Sequence, residues 1–183
     1  MPQVDVLNKI TRGSKVAGLG TKLAALIALV NQLASVKCRT LNSAGLAIGT
    51  GSLAAVKITT ATVNVLINSE FKSISTQEVA FTAVTHSIPA NAASVQEAVY
   101  VLSVPIGLTP IITMGRIATG AGNAVAPSAP ANHAVLGQVR IAVAAGATPF
   151  TAATTLLNAG AVTVTYTNLE MLPITAPIVD VLV

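Results

Sequence analysis

Acid–base or nucleophilic chemistry would have to come from very few residues. The chain has six acidic residues, two histidines and one cysteine among 183 positions. His86 and His133 are the natural proton-transfer groups, because an imidazole titrates near neutral pH. Neither has a carboxylate or thiolate at metal-ligand spacing, and a tetrahedral site needs three or four convergent ligands. Both are therefore read as surface or hydrogen-bonding residues. A Ser–His–Asp triad assembles in space rather than in sequence. Yet the two aspartates, Asp5 and Asp180, stand at opposite ends of the chain, and there is no Gly-x-Ser-x-Gly elbow. Paired-carboxylate hydrolysis would draw on Glu70, Glu78, Glu97 or Glu170. These are read instead as solvated edge residues that discourage edge-to-edge strand pairing.

The glycine motifs carry little more. Gly13 to Lys22 (GSKVAGLGTK) superficially resembles a phosphate loop, but Leu19 follows Gly18 where the Walker pattern needs Lys, and no strand precedes it. Gly49-Thr50-Gly51 lacks the third glycine and the ribose-binding acid of a dinucleotide loop. Cys38 lies between Lys37 and Arg39, which would favour its thiolate if exposed. A lone cysteine without a neighbouring His is read as incidental, and it excludes an intrachain disulfide. No catalytic residue, metal, cofactor or small-molecule substrate is expected. The sequence reads as that of a non-enzyme.

The shortage of reactive groups belongs to a wider bias. Charged residues make up 9%, hydrophobic residues 52% and aromatics 3%, and mean hydropathy is +0.74. Charged residues usually account for about 25%. This composition excludes disorder and argues against a free monomer in water. The length suits one domain, or one domain plus an arm. The chain is expected to bury much of itself in a membrane or an assembly. Its longest purely apolar run, Leu23 to Val30, has eight residues, against about 20 for a membrane span. The basic stretch before it is too long for a signal peptide. No transmembrane helix, no signal peptide and no membrane partner are expected.

Residues 1–53 read as a basic, apolar helical arm with a hinge. Val16, Leu19, Leu23, Leu26, Val30 and Leu33 recur at helical spacing. Ile27 widens the stripe, and from Leu23 to Val30 the apolar character goes all the way round, as in a helix buried on every side. Burial between subunits is the natural outcome. Lys9, Arg12, Lys15 and Lys22 are candidate contacts for an acidic partner. The cations are too dilute, and too free of interleaved aromatics, to predict nucleic-acid binding. Residues 40–53 (TLNSAGLAIGTGSL) have loop composition and are expected to form the hinge.

From residue 54 to 183 the pattern becomes β. Val162, Val164 and Tyr166 alternate with Thr163, Thr165 and Thr167, and Val139, Ile141 and Val143 alternate with Gln138, Arg140 and Ala142. Further strands are predicted at 56–67, 71–75, 79–83, 98–104 and 111–117. Turn signals fall between them, including Asn68-Ser69 and Asn158-Ala159-Gly160. Residues 119–137 read as a Pro/Ala/Gly loop lying across the domain. The predicted fold is mainly β, a sandwich or jelly-roll-like domain preceded by an N-terminal α-helical arm.

The order of these segments resembles capsid-associated virion proteins of tailed bacteriophages, the decoration, cement or head-fibre proteins. VNVLINSEF (63–71), EVAFTA (78–83), IPANAASVQEAVYVLSV (88–104), ITMGRIAT (112–119), PSAPANHAVLGQVRIAV (127–143) and TPFTAATTLLNAGAVTVTYTN (148–168) carry the resemblance. It covers about residues 56–168 and leaves out the N-terminal helix. It implies a β-rich domain, commonly trimeric, on the outside of a virion capsid. There it would bind the major capsid protein and cement the shell without catalysis, after synthesis in the host cytoplasm. The helical stripe does not itself specify a trimer, since β-branched a positions with Leu at d favour two strands. The alternative is a tail-fibre or host-attachment β module. The absence of Trp weakens it, because recognition surfaces favour aromatics.

Overall fold

Alternating β-branched and polar residues form nine strands in a computed structural model that describes residues 38–82 and 85–169. They are β1 (Cys38–Thr40), β2 (Leu46–Ile48), β3 (Ala55–Ile67), β4 (Glu70–Ala80), β5 (Gln96–Val104), β6 (Ile111–Met114), β7 (Ala118–Thr119), β8 (Ala134–Val143) and β9 (Val162–Asn168). No helix occurs among the described residues. The helical stripe expected from Val16 to Leu33 lies outside them.

The strands make two antiparallel sheets. In the first, β3 is central. β4 lies along one side, while β2 and β1 share the other, against the first and second halves of β3. Asn42 spans the gap between β1 and β2: its Nδ2 donates to Thr62 O and its Oδ1 accepts the N–H of Asn64. It thus supplies β3 with bonds that a continuous strand would have made. The β3–β4 hairpin turns at Asn68 and Ser69, both with positive φ (51° and 67°), as a two-residue turn of the I′ kind requires. Midway the register slips, from Ile58↔Gln77 to Thr62↔Ser75. Thr76 Oγ1 donates to Thr60 O across the irregularity.

The second sheet runs β6-β5-β8-β9, with β7 continuing the line of β6 along β5. All nine residues of β5 are buried. One face carries Ala98, Tyr100, Leu102 and Val104. They join Val56, Ile58, Val63, Val65 and Ile67 of β3, and Leu136, Val139, Ile141 and Val143 of β8, in one core. At one point the sheets come very close: a Cβ on Gly137 would lie 2.5 Å from Leu46 Cδ1 and 2.5 Å from Thr167 O. Phe81, Tyr100 and Phe150 meet edge-to-face, with centroids 5.1 Å apart for Phe81–Tyr100 and 5.6 Å for Phe81–Phe150. Such pairs add about 1 kcal/mol each beyond area burial.

Several sequence expectations need correction. Residues 40–53 are not a hinge, because β1 and β2 bring 38–48 into the first sheet beside β3. The strands predicted at 71–75 and 79–83 are one strand, β4, which stops at Ala80. β8 begins at Ala134, inside the predicted loop 119–137, with Leu136 as its extra residue between Leu102↔Gly137 and Ser103↔Val135. A β-bulge breaks the strict alternation that sequence reading relies on.

Candidate functional site

The strongest polar constellation sits on the side of the second sheet turned away from the core. Glu97 lies on central β5 and Arg140 on neighbouring β8. Opposite faces alternate along a strand, so Glu97 points away from Ala98 and Tyr100. Its side chain is only 3% exposed, and its Oε2 lies 2.7 Å from Arg140 Nη1. The same oxygen accepts the N–H groups of Gly122 (2.9 Å) and Ala124 (3.2 Å), while Arg140 Nη2 donates to Ala124 O. Burial opposes the charge on Glu97. The Arg140 hydrogen bond, the backbone N–H of Ala124, the Arg140 charge and the N–H of Gly122 outweigh it and hold the carboxyl below its usual range. The pair fastens the 120–124 segment over the sheet. Glu97 is therefore not the solvated edge residue that the sequence suggested.

Beside this clamp a groove of about 270 Å³ is lined by Val95, Glu97, Ala121, Arg140, Ala142, Ala144, Thr163 and Thr165. Its wall is mostly methyl groups with two threonine hydroxyls. Its charges are Glu97 and Arg140, already paired with each other. The lining has no histidine, cysteine or lysine.

Glu78 forms a second anchor. Its carboxylate accepts three consecutive backbone N–H groups, from Thr50 (2.6 Å), Gly51 (2.6 Å) and Ser52 (2.9 Å). The N–H of Gly51 is the leading cause that lowers its pKa; desolvation opposes, and the bonds from Thr50 and Ser52 add to the lowering. Lys57 Nζ, directly across the ladder, donates to Thr50 Oγ1. The Gly49–Ser52 loop is thus an anion-binding nest filled by the protein's own carboxylate. Glu70 pairs with Lys72 at 2.9 Å on the exposed part of β4, which fits the expected edge role. Glu170 lies outside the described residues.

His86 is buried at 8% exposure. Its Nδ1 accepts the N–H of Thr82, and its carbonyl accepts the Tyr100 hydroxyl at 2.6 Å. Desolvation holds its pKa below the ordinary value. The imidazole is a structural acceptor, as the hydrogen-bonding reading expected. His133 Nδ1 lies 2.9 Å from the carbonyl of Ala131, two residues away. Cys38 is half-buried at the end of the first sheet, where its Sγ accepts the N–H of Asn68. Both aspartates lie outside the described residues. Among the described residues no three His, Cys, Asp or Glu side chains converge on a metal-sized site, and no helix is long and apolar enough to cross a membrane.

The interface candidates Val16, Leu19, Leu23, Leu26, Ile27, Val30 and Leu33, and the basic candidates Lys9, Arg12, Lys15 and Lys22, lie outside the described residues. The Glu97–Arg140 clamp and the Glu78 nest were missed in the sequence. The only available signal was the placement of Glu97 inside an otherwise apolar strand. No protein-family model matches the chain, and no curated protein or solved structure does.

Proposed function

We propose that the protein is a structural virion subunit that binds the outer surface of a bacteriophage capsid and cements it through subunit–subunit contacts, without catalysis. In this reading the two sheets act as a sandwich, and an N-terminal helical arm carries the main assembly contacts. The subunit is a homotrimer, made in the host cytoplasm and carried on the capsid exterior, with the major capsid protein as its partner. Leu23, Leu26, Ile27, Val30 and Leu33 bury apolar area, each Å² contributing about 25 cal/mol before ordering costs. Lys9, Arg12, Lys15 and Lys22 face acidic capsid surface.

One observation supports this most. The polar groups that would mark a reactive site elsewhere are engaged in fastening the protein's own backbone. Glu97 holds Gly122 and Ala124, Glu78 holds residues 50–52, and His86 holds Thr82. Several large apolar side chains remain outward beside them: Phe71 (63% exposed), Val125 (77%), Ile106, Ile117 and Leu156. A permanently assembled subunit has this division, since obligate interfaces resemble a core cut open.

The test adds purified full-length chain to expanded cognate capsids stripped of outer proteins. Saturable co-sedimentation at a fixed ratio to capsid subunits, with a raised disassembly temperature, is expected. Leu26→Asp should lose binding and trimeric mass in light scattering while keeping the β-type circular dichroism. Absence of binding by the wild-type chain would overturn the capsid reading, and a normal trimer of Leu26→Asp would overturn the role of the arm.

A further inference from the structure

Among the described residues the strand edges are blunted, with one exception. β1, β2, β6 and β7 are two to four residues long. β4 is longer, but it carries Glu70, Lys72 and Glu78, and its register slips against β3. Short, charged or irregular edges resist pairing with another chain. β9 has none of these devices. Val162–Asn168 contains no charge and no proline, and its register with β8 runs unbroken from Gly137↔Asn168 to Val143↔Val162. No described strand lies on its far side.

The direction of its backbone groups follows from two bonds. The N–H of Ala144 donates to Ala161 O, and that of Leu169 to Leu136 O, continuing the β8–β9 register at both ends. Bonded and non-bonded pairs alternate along an antiparallel ladder. Thr163, Thr165 and Thr167 therefore turn their backbone groups to β8, and Val162, Val164, Tyr166 and Asn168 turn theirs to the open edge. The N–H of Val162 is taken by Ala159 O. The N–H groups of Val164, Tyr166 and Asn168 have no protein partner among the described residues.

We propose that β9 pairs antiparallel with β9 of a second copy of this chain, about a twofold axis through Thr165. This centre alone pairs every residue of the strand: Val162 with Asn168, Thr163 with Thr167, and Val164 with Tyr166. It also makes the edge-facing residues the hydrogen-bonded pairs, as the ladder requires, with Val162 contributing its carbonyl alone because its N–H is held by Ala159 O. Thr165 then opposes itself as a non-bonded pair, with Cα atoms about 4.5 Å apart. The faces agree as well. Threonines meet threonines on the outer side, a favourable cross-strand pairing, and Val164 meets Tyr166 on the core side. An uncharged strand brings no like-charge repulsion to such a pair. A foreign strand would not need this self-complementarity.

Seven residues give an edge about 24 Å long, a small contact beside the roughly 1,200 Å² of a stable interface. It is weak in dilute solution and fills at the local concentrations of an assembly. It goes beyond the capsid reading and does not depend on it.

The test uses the full chain with Cys38→Ser. Thr165→Cys, oxidised at high protein concentration, should form a disulfide dimer about tenfold faster than Thr163→Cys alone, since a disulfide needs Cα atoms within about 7 Å. Two Thr163 residues in the pair would stand about 14 Å apart. Thr163→Cys mixed with Thr167→Cys should cross-link. Val164→Pro removes an edge-facing N–H and no β8 bond, so it should slow the Thr165→Cys reaction to the background rate with circular dichroism unchanged. In the wild type, exchange of the Val164 and Tyr166 amides should slow as concentration rises. Equal rates for the single cysteines, a fastest Thr163→Cys, or concentration-independent exchange would each overturn the proposal.

Discussion

One oxygen of Glu97, Oε2, binds Arg140 Nη1 at 2.7 Å and at the same time accepts the N–H groups of Gly122 and Ala124. Two adjacent strands and the segment crossing them are joined at a single atom. Glu97→Ala should release residues 120–124 and destabilise the fold by about 2 kcal/mol. Arg140 is 37% exposed and can reach water, which places the effect at the low end for a buried pair. Thermal melting should show a drop of about 4–8 °C. Amide exchange at Gly122 and Ala124 should speed up more than at Val139 or Ile141. An unchanged melting temperature would remove the clamp from the account.

Acid should weaken the fold through two carboxylates. Glu78 and Glu97 both have pKa values held below the ordinary 4.5. A depressed carboxyl contributes stability that is fully present above its unfolded value and is lost as pH falls through the folded one. The urea midpoint should therefore hold near neutral pH and fall below about pH 4.5. The double variant Glu78→Gln, Glu97→Gln should start from a lower midpoint and show a flatter acid limb. An acid limb as steep as the wild type's would assign the transition to other groups.

His86 should add a separate step nearer neutrality. Its Nδ1 accepts the Thr82 N–H only while unprotonated, and burial lowers its pKa from 6.5. The unfolded chain then binds the proton more readily than the folded one. Stability is full above about pH 6.5 and declines as pH falls from there toward the lowered folded value. His86→Asn keeps a side-chain acceptor and cannot titrate, so it should abolish the dependence of the urea midpoint between pH 5 and 7. A residual slope of wild-type size in that window would contradict the assignment.

Gly137 has no room for a side chain. The blocking atoms are Leu46 Cδ1 and the backbone oxygen of Thr167, each 2.5 Å from a Cβ placed there. Gly137→Ala should cost about 2 kcal/mol, because Thr167 O belongs to the β8–β9 ladder and cannot move freely. Gly107→Ala, with nothing within 4 Å, is the matched control and should be close to neutral. Comparable urea midpoints for the two variants would show that the sheets can separate without loss.

Much of the fold was legible in local pattern. The Val/Thr alternation at 162–167 became β9, the run at 56–67 became β3, and the Asn68-Ser69 signal became the hairpin turn. β1 and β2 were not legible. Three residues are too few to show a period of two, and their Gly/Ser/Thr surroundings have loop composition. What makes them strands is the free side of β3, with Asn42 bridging the break between them. The start of β8 was hidden for a different reason: the bulge at Leu136 interrupts the alternation.

The candidate site divides in the same way. Composition determined that reactive groups would be scarce, because that follows from residue counts. Periodicity determined which residues of a strand share a face, because that is a property of the local backbone. Only the tertiary structure decided which glutamate would be buried. Glu70, Glu78 and Glu97 all lie in strands, but β4 is an outer strand and β5 is central. Glu97 meets its partners 25 to 43 residues further along the chain. A contact at that separation is set by strand order and by the path of a crossing loop, and neither leaves a periodic trace in the sequence.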